Sequence, residues 1–131
     1  MIYKTIKGNV SEADWNEYLE RLKRAPMHVQ NRLSVSVLLN NVELGTGLDK
    51  ERVGEVAEIA CGKDGFQFYE YLRFGAYIYS ETDSPDKGLP CFHRAMELAP
   101  ADDPNVAKML ADLKSIGRGD WAQQLERLRT Q

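Results

Sequence analysis

Two histidines, His28 and His93, and two cysteines, Cys61 and Cys91, are the only such side chains available for soft-metal ligation or thiol chemistry in this chain of 131 residues. A histidine-rich metal site is therefore impossible. A zinc site would need all four residues to converge, and their spacing argues against that. Cys91 and His93 stand two apart on an expected helix, so they point to different faces and make a poor nucleophile and base pair. His93 and Glu97, at i and i+4, read as a surface hydrogen-bonded pair. Ser84-x-x-Lys87 has the spacing of a serine nucleophile with a lysine base, but the companion Ser-Asp-Asn and Lys-Thr-Gly motifs are missing. Helix capping by Ser84 explains it better. Gly45-Thr46-Gly47 follows an expected helix and lacks the lysine-serine/threonine ending of a phosphate loop, so it reads as a turn. With neither a catalytic motif nor a cluster of titratable groups, the chain reads as non-catalytic, with no cofactor and no metal. Cys61 and Cys91 could pair in principle, but two cysteines in a chain so well supplied with apolar residues read as small core residues, not as a disulfide framework.

Composition narrows the class. The chain carries 17 basic and 20 acidic residues, a net charge of -3, and 43% hydrophobic residues. That balance lacks the basic footprint that phosphate neutralisation requires, so no nucleic-acid partner is expected. No apolar run approaches the roughly 20 residues that span a bilayer, and the first ten residues, MIYKTIKGNV, lack the apolar core of a signal peptide. The expected location is cytoplasmic, with no membrane partner. The length suits one domain over residues 1–131.

The elements that would position any site read as helices. Ser11 and Asp14 form a capping pattern, Val10 and Trp15 sit at staple positions, and Trp15, Tyr18, Leu19 and Leu22 form an apolar stripe that Pro26 terminates. Residues 27–44 are apolar on more than one side, and the length of that run favours a buried helix over a strand. Asp49 is a candidate N-cap for a helix with Val53, Val56, Ala57 and Ala60 on its stripe, ended by Gly62. Residues 66–79 hold seven of the twelve aromatics, too many to point one way. The next helix carries Leu89, Phe92, Ala95, Met96 and Leu98, with Pro90 near its first turn and Pro100 at its end. Asp103 and Pro104 are an N-cap and N1 pair leading to Val106, Met109, Leu110 and Leu113, and Gly117 stops that helix. Asp120 would cap the last, with Trp121, Leu125 and Leu128 on one face.

An internal repeat organises these helices. Val53, Ala57 and Ala60 align with Gly88, Phe92 and Ala95 at a spacing of 35, and then with Trp121, Leu125 and Leu128 at a spacing of 33. A period near 34 is that of tetratricopeptide repeats. Within residues 71–100, Tyr71, Phe74-Gly75 and Ile78, then Gly88, Phe92, Ala95 and Pro100, fall near that family's large, small and proline positions. The chain resembles a tetratricopeptide repeat there, and the longer acidic turn is similar to Sel1-like repeats. The resemblance spans roughly residues 34–130. It implies an all-α fold of antiparallel helical hairpins stacked as a short right-handed array of about seven helices. Residues 1–10 would be a short N-terminal arm, 11–25 an additional helix, and 27–130 three hairpins.

The same resemblance implies a concave groove lined by the first helix of each pair. Its free positions would be Tyr69, Arg73, Ala76 and Tyr79, then Lys108, Ala111 and Lys114. Of these, Tyr69, Arg73, Tyr79, Lys108 and Lys114 are the candidate partner contacts, since tyrosine and arginine recur at interface hot spots. The tyrosines could equally pack between repeats. The expected function is a protein-protein interaction module, of adaptor or chaperone type, for a protein or peptide partner, with self-association open to an exposed terminal repeat. Charge supplies the alternative. Residues 1–34 carry +2, residues 43–103 carry -7 and residues 104–131 carry +2. Glu51, Glu55 and Glu58 line one acidic helix face, which would suit a small immunity-type inhibitor that neutralises a toxin.

Overall fold

The computed structural model describes residues 11–26 and 50–128. Among them the chain is all-helical, with six α-helices and no strand: α1 Glu12–Arg24, α2 Lys50–Cys61, α3 Phe68–Glu81, α4 Leu89–Leu98, α5 Pro104–Ser115 and α6 Gly119–Arg127, with a 3-10 turn at Pro85–Gly88 leading into α4. The expected helix within 27–44, the Asp49 cap, the 45–47 turn, the 1–10 arm and His28 lie outside the described residues. None of the six helices is long and apolar enough to cross a membrane.

Local chemistry sets most of the boundaries. Ser11 Oγ accepts the Asp14 N–H at 3.2 Å, and Ala25, which precedes Pro26, is extended (φ -72°, ψ 136°) and ends α1. Asp103 accepts the N–H groups of Asn105 and Val106 at 2.9 and 3.3 Å, with Pro104 at the first helical position. The α5–α6 turn is a Schellman motif: Gly117 is left-handed (φ 87°), its N–H reaches Lys114 O, and Arg118 N–H reaches Leu113 O at 2.7 Å. That motif consumes Gly117 and Arg118, so α6 begins at Gly119 and Arg118 is its N-cap. Asp120 therefore sits inside the first turn, ion-paired with Arg118 at 3.5 Å, and not in the capping place expected of it.

Packing follows the stripes. Trp15, Tyr18, Leu19 and Leu22 of α1, Val53, Val56, Ala57 and Ala60 of α2, and Tyr71, Phe74, Tyr77 and Ile78 of α3 are buried in one cluster with Cys91 and Ala95. The adjoining face of α4 presents Phe92 and Met96 to a second cluster with Val106, Leu113, Trp121, Ala122 and Leu125. One helix thus closes two cores. Leu98, expected on that stripe, is 54% exposed, because six residues beyond Phe92 the helix has turned about 120° off the buried face. Helix α3 packs chiefly on α4 and on α2, and α5 on α6, while α4 also touches α2 and α6, and α3 touches α5.

Cys61 and Cys91 correct the reading of two independent core thiols. They form a disulfide with Cα atoms 5.1 Å apart, joining the end of α2 to the first turn of α4. Spacing along the chain held no sign of this, because the pair meets only when the two helices pack side by side.

Candidate functional site

Helices α3 and α5 run beside each other and leave a groove of about 500 Å3 between them. Tyr69, Leu72, Arg73, Ala76, Tyr79 and Ser80 form one wall, Asn105, Lys108, Met109, Asp112, Leu113 and Ile116 the other, and Phe92 of α4 contributes from below. On each helix these residues fall at spacings of three and four, so each wall is one continuous face.

Of the positions expected to face a groove, Tyr69, Arg73, Ala76, Tyr79 and Lys108 line it. Ala111 and Lys114 do not. Steps of three residues lag the helical repeat by about 60° each, so two steps beyond Lys108 carry position 114 about 120° off the groove face. Lys114 instead pairs with Glu126 of α6 at 2.8 Å. The residues that the i+3 count missed on that wall, Met109, Asp112, Leu113 and Ile116, are the i+1, i+4, i+5 and i+8 neighbours of Lys108. Steps of four from Lys108 reach Asp112 and Ile116, and steps of four from Asn105 reach Met109 and Leu113.

The wall residues divide into exposed and supporting ones. Tyr69 and Ile116 are among the most exposed large apolar side chains, at 55% and 51%. Tyr79 is half-buried, with its ring edge-on to Trp121 at 5.5 Å, so it packs between the helix pairs and also lines the groove. Trp121 stands at the position aligned with Val53 and Gly88 in the sequence. Its indole is buried against Phe92 and Tyr79, and the Arg118 guanidinium lies 4.2 Å from its centroid. Lys108 and Asp112 pair at 3.5 Å on the open rim. Arg73 is exposed and has no ion pair among the described residues.

The acidic candidates occupy a different side. Glu51 accepts the Asp83 N–H at 2.7 Å, Glu55 accepts the Trp15 indole N–H at 3.4 Å, and Glu58 pairs with Lys87 at 3.5 Å. All three carboxylates therefore tie α2 to its neighbours. Ser84 has no side-chain capping bond; its N–H donates to Thr82 Oγ1, and Thr82 Oγ1–H donates to Ile78 O at 2.7 Å. His93 is drawn not to Glu97 but to Gln124 of α6, with nitrogen atoms 3.2 Å apart, because α6 packs across that face of α4.

A second polar cluster pins the loop after α2. Lys63 Nζ donates to the carbonyls of Lys23 and Ala25 at 2.6 and 2.7 Å, closing the C-terminus of α1. Tyr71 O–H donates to Lys63 O, and Arg94 donates to Asp64 and to Gly62 O. Burial raises the Tyr71 phenol above its usual range, with the nearby Arg94 guanidinium pulling the other way, and the Asp64 hydrogen bond raises Arg94 further. These bonds are spent on structure: each joins a helix to the loop that follows Cys61. Compared with protein-family models, curated proteins and solved structures, the chain matches none.

Proposed function

We propose that the chain is a short helical-repeat module of tetratricopeptide type that holds a protein or peptide partner in the α3–α5 groove, without catalysis of its own. The observation that carries this reading is the groove itself: five of the seven positions that the repeat register assigns to a concave surface line one apolar cleft with a cationic rim. The repeat register draws support from the second helices α2, α4 and α6, which succeed one another in contact, while the first helices α3 and α5 also touch. A right-handed stacking of the hairpins belongs to the same proposal. Adaptor or chaperone roles, and self-association through a terminal hairpin, follow from a docking groove on a chain of this size.

The toxin-inhibitor alternative draws less support, because Glu51, Glu55 and Glu58 already hold partners within the fold. Arg73→Ala and Tyr79→Ala should abolish capture of the cognate partner with helicity retained, as read by pull-down and circular dichroism. Loss of capture on charge reversal at Glu55 and Glu58, with the groove variants still active, would transfer the function to the acidic face.

The proposed compartment is the cytoplasm. There the Cys61–Cys91 bridge pulls the other way, since disulfides persist mainly in oxidising surroundings. Alkylation of the protein in its host followed by mass measurement decides the matter: two blocked thiols support the cytoplasm, and none overturns it.

A further inference from the structure

Resting on the groove reading, we propose that the segment held between α3 and α5 is an amphipathic α-helix of about three turns that carries acidic side chains along its flank. Three observations lead there. The first is the chemistry of the walls. Both are faces of α-helices whose backbone groups are already hydrogen-bonded, so they offer no free backbone edge. An extended segment laid on the apolar floor would leave the N–H and C=O groups on its buried side without partners, since the walls offer none. A helix satisfies its backbone internally and presents only side chains. The second is length. The α5 wall has 12 residues, about 18 Å at the helical rise, which matches three turns of a bound helix.

The third observation is charge. Arg73 on one wall and Lys108 on the other are exposed cations, against the single carboxylate of Asp112. Asp112 already lies against Lys108, which leaves the Arg73 side of the rim with a net positive charge. Carboxylates on the flank of the bound helix complete that rim, while its apolar face meets Tyr69, Met109 and Ile116.

Selection of a random 16-residue peptide display library on the full chain tests the assignment, with the chain bearing Ala76→Arg, which fills the groove from its α3 wall, as the counter-selection. The expected outcome is enrichment of proline-free sequences with apolar residues at i, i+3, i+4 and i+7 and with flanking Asp or Glu. Those peptides should become helical on binding and lose affinity about fivefold or more to Arg73→Glu, with Arg73→Lys retaining most of it. Enrichment of proline-bearing or lysine-flanked sequences would overturn this assignment while leaving the groove reading intact. Absence of any enrichment over the Ala76→Arg chain would remove both.

Discussion

The backbones at Gly75 in α3 and Gly88 ahead of α4 approach so closely that a β-carbon on Gly88 would lie 2.7 Å from the Gly75 carbonyl oxygen. A β-carbon on Gly75 would in turn lie 2.8 Å from the Phe92 ring and 3.1 Å from Cys91 Cβ. The α3–α4 hairpin closes only because both positions lack a side chain, which also lets Phe92 reach the groove. Gly88→Ala meets a backbone atom that cannot rotate away, so it should destabilise the fold by about 1–3 kcal/mol. A urea unfolding midpoint equal to that of the parent chain would contradict this contact.

Reduction of the Cys61–Cys91 bridge should lower stability by about 3–4 kcal/mol, since it releases a loop spanning a sequence separation of 30 in the unfolded chain. Thermal unfolding with and without a dithiol reductant measures the effect. The Cys61→Ala and Cys91→Ala double variant should behave as the reduced chain does and be indifferent to reductant.

Alkaline pH should weaken the fold through two buried phenols. Burial raises both Tyr18, far above its usual range, and Tyr71. Above pH ~10 the unfolded chain releases these protons while the native chain keeps them, so stability falls as pH rises and is full below that value. Unfolding free energy measured from pH 8 to 12 should decline in the parent chain and decline less in Tyr18→Phe. An identical slope in the two would refute the assignment.

Lys63→Ala should loosen α1 selectively. Its ammonium is the shared partner of the Lys23 and Ala25 carbonyls, so its loss should cost about 1–2 kcal/mol. Amide exchange should quicken at the C-terminal end of α1 and stay unchanged in α5 and α6, whose side chains belong to the second buried cluster.

Tyr79→Phe should leave both the fold and groove occupancy nearly unchanged, because the ring is what meets Trp121, whereas Tyr79→Ala opens a gap beside the indole and should cost about 2–4 kcal/mol. Calorimetric unfolding of the two variants, compared at equal partner occupancy, separates the packing role of this residue from its contact role.

Helix starts and stops were legible from the chain alone wherever one residue type imposes one backbone state: Ser11, Pro26, the Asp103–Pro104 pair and the left-handed Gly117. So were the stripes of α1, α2 and α5, because a 3.6-residue period fixes which side chains share a face whatever they pack against. The seven groove positions were not read from that period but implied by the tetratricopeptide resemblance; five of them lie along the α3–α5 groove, and Lys114 does not, because counting by threes outruns the helical repeat. The Cys61–Cys91 bridge, the turning of His93 toward Gln124, the engagement of Glu51, Glu55 and Glu58, and the meeting of Gly75 with Gly88 are pairings between residues 13 to 40 apart. Their partners are chosen by how helices lie against one another, and a pattern that repeats along one helix carries no information about the angle or register of the next. The local rules therefore wrote the elements, and only packing decided which side chains were spent on holding the fold and which were left to face a partner.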